Sequence, residues 1–219
     1  MSVYQKSYAA FLFDMDGTLL SSIEAAERVW TAWAVKHGLD VQAFVPTIHG
    51  VRAADTIKRQ NLVGIDLDAE IDWVTRNEIE DTGGVKAISG VVDFLNSLPA
   101  DKWAIVTSAT VELADRRLKA AGIKPPKTMV TGEDVTNGKP APDCFLLGAE
   151  RLGVDIKDCL IFEDAPAGIA AGNASGGDVM VITATHQHPV ETAHAKIHDY
   201  TGITVHFDPK SGKLHVHRG

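Results

Sequence analysis

Cysteine is scarce: Cys144 and Cys159 are the only two in 219 residues, and they lack Cys-x-x-Cys spacing. That excludes a disulfide framework and suits buried free thiols in a reducing compartment. Long apolar runs are missing too, since nothing approaches the roughly 18 continuous residues of a membrane span. The opening "MSVYQKSYAA" has no apolar core of signal-peptide length. A cytoplasmic chain with no membrane partner is expected. Basic residues number 21 against 29 acidic ones, a formal net charge of −8. That balance argues against a nucleic-acid or anionic-membrane binder, although a local positive site can still hold a small anion.

What is present is ordinary in bulk. Hydrophobic residues make up 45% and charged residues 23%, enough to bury a sizeable core. The length suits one large domain, or one domain with a smaller insertion, and a monomer is expected. Short apolar runs recur: "AAFLF" (9–13), "WAIV" (103–106), "TMV" (128–130), "CLIF" (159–162) and "DVMVIT" (178–183). Helical patterns separate most of them, among them "ISGVVDFLNSL", "VELADRRLKAAG", "DCFLLGAERLG" and "APAGIAAGNAS". Continuous rather than alternating strands between helices predict a doubly wound α/β fold, its parallel sheet covered on both faces.

One stretch breaks that rhythm. From about Ser21 to Gly84 the sequence is helical, with Ile23, Ala26, Trp30, Trp33 and His37 near one face, and "DTGGVKAIS" reads as the return linker. The Trp stripe is expected to be core packing. The expected division is a catalytic core of residues 1–20 and 85–219 and a helical cap of residues 21–84. At the far end, "HDYTGITVHFDPKSGKLHVHRG" predicts a hairpin turning at "DPKSGK". A solvated edge-strand hairpin is expected there rather than a metal site on His206, His215 and His217. His194 and His198 have the spacing of one helix face but no obvious partner carboxylates.

"FLFDMDGTLLSS" (11–22) runs a hydrophobic strand straight into Asp14 and Asp16. Like charges resist sharing a poorly solvated site, so a positive partner or a retained proton is required. In an open parallel sheet, ligands bind beyond the carboxyl ends of the strands. There the first strand delivers Asp14 and Asp16, "WAIV" delivers Thr107 and Ser108, and "CLIF" delivers Glu163 and Asp164. "TNGKPAPD" adds Lys139 between rigid prolines. Converging acids call for a divalent cation, and hard oxygen donors select Mg²⁺ over zinc. Lysine and hydroxyls beside that metal call for an anion, most simply phosphate. A nucleotide-binding loop does not fit: five residues rather than four separate Gly132 from Gly138, and Pro140 stands where Ser or Thr should be.

"FDMDGTLLSS", "IVTSAT", "GKPAPD" and "FEDAPAGIAAG", in that order, resemble the four signature motifs of the haloacid dehalogenase-like superfamily. The resemblance extends to about residue 185. It implies a Rossmann-like core with strand order 5-4-1-2-3 and a helical cap inserted after the first motif. Carried over, it makes Asp14 the nucleophile that becomes an aspartyl-phosphate, offset by Mg²⁺ and Lys139. Asp16 becomes the acid and base, its carbonyl also a metal ligand. Thr107, the Ser108 amide and Lys139 would hold phosphate oxygens. Asp164 and Glu163 would complete the metal site, and Gly17 would allow the turn that aims Asp16. Ser21 stands where many members have Asp, a change expected to affect cap packing.

Within the superfamily, dehalogenases and phosphonatases lack an acid at the Asp16 position, so its presence favours phosphoryl transfer. β-Phosphoglucomutase relatives use a cap histidine and arginine that fall near Ala26 and Ala53 here, which favours hydrolysis over the mutase alternative. A non-catalytic phosphate-binding module would have lost one of Asp14, Asp16, Lys139 or Asp164. In the cap, "IHGVRAADTIK" offers His49 and Arg52 for a hydroxyl-rich leaving group. The expectation is a Mg²⁺-dependent phosphatase of small sugar or polyol phosphates resembling the sugar phosphatase and glycerol-3-phosphate phosphatase group. Gly83-Gly84 and Ser21-Ser22 are its hinge candidates.

Overall fold

The computed structural model describes residues 2–186, 188 and 190–219. In chain order, β1 (Ala10–Phe13) leads through β2 (Leu20–Ser21) to four helices. These are α1 (Ile23–Lys36), α2 (Val41–Phe44), α3 (Ala53–Arg59) and α4 (Leu67–Glu80). β3 (Lys86–Ala87), α5 (Val91–Asn96), β4 (Trp103–Val106), α6 (Val111–Ala121), β5 (Met129–Val130) and α7 (Asp143–Leu152) follow. Then come β6 (Cys159–Glu163), α8 (Pro166–Ser175), β7 (Asp178–Ile182), β8 (Ala195–Ile197), and the pair β9 (Ile203–Asp208) and β10 (Lys213–Arg218).

The main sheet runs β5-β4-β1-β6-β7-β8, with every pairing parallel. Counted from β1 along the sheet strands alone, that is the order 5-4-1-2-3 with one further strand, β8, beyond the fifth. Alternation sends side chains to two cores, as a pleat with both faces covered requires. Phe11, Phe13, Trp103, Ile105, Leu160 and Phe162 join one. Ala10, Leu12, Ala104, Val106, Cys159 and Ile161 join the other. Phe13 and Phe162 stack at 4.5 Å beneath the carboxylates that follow them. Helices α5 and α6 cover the first face and α7 and α8 the second.

The inserted helices form a cap with its own hydrophobic cluster, centred on Trp30, Trp33, Phe44, Ile57 and Val74. Trp33 is fully buried, and its indole donates to Glu70 on α4 at 2.9 Å. β2 and β3 pair antiparallel where the chain leaves and re-enters the core. Both cysteines are buried and free.

Two expectations need correction. His194 and His198 flank the strand β8 rather than lying on a helix, because the chain there adds an edge to the parallel sheet. The β9–β10 hairpin is a separate two-stranded sheet, not an edge of the main one. It is not merely solvated, for Ile203, Leu214 and Val216 are buried in the main core. A backbone bridge between Tyr8 and Leu214, together with the Lys213–Asp158 ion pair, lays the hairpin's apolar face over the core next to the chain's start.

Candidate active site

Each acid owes its place to a strand end. Asp14 follows β1 directly, and its N–H still donates to Phe162 of β6 at 2.9 Å. Glu163 is the last residue of β6, and its Oε2 accepts the N–H groups of Asp164 and Ala165, both at 2.8 Å. Gly17 turns the chain with φ +90°, and a Cβ there would collide with the Asp164 carboxylate. So glycine is required at this position both by backbone and by space. Gly168, inside α8, is equally constrained, since a Cβ would overlap the Glu163 carboxylate.

Lys139 ties the cluster together. Its Nζ donates to Asp14 Oδ1 at 2.6 Å, Glu163 Oε1 at 2.8 Å and the Val106 carbonyl at 3.1 Å. That uses all three ammonium donors. Burial alone would lower the lysine's affinity for its proton, but Asp14 and Glu163 more than offset it and hold the ammonium charged. Burial pushes the Asp14 carboxyl up to about 7 despite that lysine, with Glu163 and Asp16 adding repulsion. Burial, then Glu163 and Asp14, raise Asp164 well above the usual carboxylate range.

One oxygen each from Asp14, Glu163 and Asp164 lies within 4.8 Å of the others. Among the described residues, the Asp164 carboxylate accepts one hydrogen bond, from Thr18 Oγ at 3.3 Å to Oδ1, and His186 Nε2 stands 4.0 Å from Oδ2. A buried acid this poorly partnered, within an all-oxygen donor set, fits a hard divalent cation such as Mg²⁺.

A cavity of about 910 Å³ lies between this rim and the cap. Asp14, Asp16, Thr107 and Ser108 line its floor, and His49, Arg52, Trp30 and Ile71 are among its cap walls. Thr107 is buried, with Oγ accepting the Ala109 N–H at 3.1 Å. The Ser108 hydroxyl donates to the cap's Gly50 carbonyl at 2.9 Å. His49 Nε2 sits 3.4 Å from Glu27, and burial lowers its pKa. Arg52 borders the cavity but spends its donors on Asp55 and on the core carbonyls of Gly132, Val135 and Thr136. The structure thus gathers Asp14, Glu163, Asp164 and Lys139 tightly, sets Asp16, Thr107 and Ser108 around them, and leaves His49 and Arg52 on the cap side.

Sequence reasoning missed Arg117, Glu78 and His186. Arg117 Nη1 donates to Asp16 Oδ1 and Nη2 to Glu78 Oε1, both at 3.0 Å. A signal was present: Arg117 falls four and three residues after Leu113 and Ala114 on α6, a core-facing position where a charge needs a partner. His186 Nε2 lies 3.0 Å from the Asp164 carbonyl, with no comparable sequence cue.

A family model for haloacid dehalogenase-like hydrolases matches residues 8–176, and the chain belongs to that family. It is 38% identical over 205 residues to hexitol phosphatase A of Escherichia coli (strain K12), covering 91% of this chain and 94% of the relative. It is 36% identical over 192 residues to glycerol-1-phosphate phosphohydrolase 2 of Saccharomyces cerevisiae, covering 80% and 75% respectively. A hydrolase from Pseudomonas syringae has a similar fold, with TM-score 0.71 and 26% identity over 79% of this chain and 83% of that one.

Proposed function

We propose that this chain is a Mg²⁺-dependent phosphatase that hydrolyses small sugar or polyol phosphates through an aspartyl-phosphate on Asp14. The carrying observation is the Asp14–Lys139–Glu163 cluster, beside Asp164 and Asp16, under a capped cavity. The sugar and polyol phosphatases among its relatives support the substrate class. A bound cation would offset the charge of the phosphoryl group as it nears these carboxylates. Asp14 attacks phosphorus, while Lys139 holds its Oδ1 and keeps positive charge beside the phosphoryl oxygens. Thr107 and the Ser108 amide orient those oxygens. Asp16 gives a proton to the leaving alkoxide and then takes one from the water that hydrolyses the phospho-enzyme.

Residues 1–20 and 85–219 serve as the catalytic core and residues 21–84 as the cap, with His49 and Arg52 shaping the leaving-group side. Ala26 and Ala53, near which the cap histidine and arginine of β-phosphoglucomutase relatives would fall, line the cavity, which favours water as the final acceptor. Among the described residues, no helix is long and apolar enough to cross a membrane. A cytoplasmic monomer acting on a small metabolite belongs to the same proposal.

The test is phosphate release from a panel of sugar, polyol and nucleotide monophosphates, with Mg²⁺ and with EDTA. Release should require the metal and favour sugar or polyol phosphates. Asp14→Asn should lower it by on the order of 10³-fold or more, because the nucleophile is lost. A folded wild-type chain that releases phosphate from none of them would remove the reading.

A further inference from the structure

Asp14 and Asp16 stand two residues apart yet have different partners. Asp14 is gripped by the core's own lysine. Asp16 is gripped through Oδ1 alone, by Ser22 Oγ at 2.6 Å and Arg117 Nη1 at 3.0 Å. Its Oδ2 accepts none of the hydrogen bonds found among the described residues, and the residue borders the cavity. The other arm of the Arg117 guanidinium reaches Glu78 on α4, so one side chain joins the core, Asp16 and the cap.

Packing does not explain this arginine. It is 4% exposed, among Leu113, Ala114 and Leu118 of its own helix, and its Nε has no partner among the described residues. An apolar side chain of similar volume would fill such a place without the desolvation cost. Glu78 is buried as well, and burial raises its carboxyl above the usual range despite the arginine. Two buried charged groups held at such a cost, one on each side of the cap–core seam, point to a role in geometry.

We propose that Arg117 is a positioning residue for the acid–base carboxylate. With Ser22 it fixes Oδ1 of Asp16 so that Oδ2 meets the leaving oxygen, and Glu78 makes that alignment depend on the docked cap. The proposal rests on the phosphatase reading above. In the first step an Asp14 oxygen bonds to phosphorus, the ester P–O bond breaks, and the proton on Asp16 Oδ2 passes to the departing alkoxide. In the second, water bonds to phosphorus, its proton passes to Oδ2, and the bond from phosphorus to Asp14 breaks.

The test compares a hexitol phosphate, whose alkoxide needs a proton, with p-nitrophenyl phosphate, whose phenolate leaves without one. Single-turnover release of the alcohol or phenol would be followed with Mg²⁺ in wild type, Arg117→Gln, Arg117→Lys and Glu78→Gln. Arg117→Gln should slow alcohol release about 100-fold, the scale of a misplaced or missing proton donor, and phenolate release less than about threefold. Arg117→Lys should recover part of the loss. Glu78→Gln, which keeps shape and removes charge, should slow alcohol release about fivefold, again selectively.

Equal losses on both substrates, or a folded Arg117→Gln with no loss, would overturn the proposal. Should Arg117→Gln fail to fold, Glu78→Gln decides by the same criterion: a loss confined to the hexitol phosphate supports the proposal, and any other pattern sinks it. A wild type silent on both substrates removes the phosphatase reading and the proposal with it. An active wild type with unselective variants removes the proposal alone.

Discussion

The rim of the sheet and the underside of the cap face one cavity but are held in different ways. On the rim, Asp14, Glu163, Asp164 and Lys139 are all at most 4% exposed and stand at strand ends or on a proline-braced loop. Their charges are answered mainly by one another. On the cap, His49 and Arg52 come from a turn and a helix start, and Arg52 reaches the core by donating to backbone carbonyls. Carbonyls are available whatever side chain a core loop carries. The rim therefore holds its atoms rigidly, as the proposed phosphoryl transfer would require, whereas the cap's ties to the core fix a position rather than a particular side-chain partner. On the proposed reading, the rim would carry the reaction and the cap would choose what enters.

The cap's independence should be visible when its centre is removed. Trp33 packs against Trp30 and Phe44 within a cluster distinct from those flanking the sheet. Trp33→Ala should cost about 3–5 kcal/mol, the usual range for a large buried aromatic, and it leaves Glu70 without the indole donor. Hydrogen exchange should rise across α1–α4 while β1, β4 and β6 stay protected, as for a locally opening unit. Uniform loss of protection in both regions would break the comparison, making cap and core one cooperative body.

Rim precision is tested by a single methyl. Gly→Ala in a helix interior ordinarily stabilises by about 0.5–1 kcal/mol. At Gly168 the new Cβ would overlap the Glu163 carboxylate, so Glu163 must leave its place between Lys139 and the N–H groups of Asp164 and Ala165. Gly168→Ala should lower kcat on the order of 100-fold, the scale of an ångström misplacement at a reacting centre. Its thermal midpoint should not rise. A more stable and fully active variant would show that the rim tolerates displacement as readily as the cap.

The same contrast explains what the sequence made legible. Strands that end in carboxylates advertise themselves, because an apolar run meeting Asp14-x-Asp16 or Glu163-Asp164 has few bland explanations; a parallel sheet followed from apolar runs spaced by helices, and its strand order from the family resemblance. The cap was visible as a helical interruption, since Trp30 and Trp33 repeat at helical spacing. Contacts across the seam were not readable. Arg117, Glu78 and His186 acquire meaning only when α4, α6 and the segment after β7 are brought together, and no local pattern encodes that meeting. The hairpin's burial was hidden for a similar reason. Alternation in "KLHVHR" shows that Leu214 and Val216 share a face, but not that the core covers it.

The smallest expected effect concerns the link between the two regions. The return linker is braced by Arg28, which donates to Asp81 and to the Gly83 carbonyl at 2.7–2.8 Å. Gly84 adopts φ +85°, and a Cβ there would stand 3.0 Å from a Glu24 oxygen, whereas Gly83 has no positive φ. Gly84→Ala should therefore cost about 1–2 kcal/mol, the left-handed penalty for an L-residue. Gly83→Ala should fall within about 0.5 kcal/mol of wild type, because its Cβ would stand 3.1 Å from the Arg28 tip and 3.2 Å from Asp81, contacts that a small shift of those side-chain ends relieves. Equilibrium denaturation measures both costs. If the cap must open for alcohol to leave and water to enter, the double alanine variant should turn over more slowly at saturating substrate while binding it as well as before. Unchanged turnover in a linker stiffened at both positions would place the hinge elsewhere, with Ser21-Ser22 and the β2–β3 pair the next segment to probe.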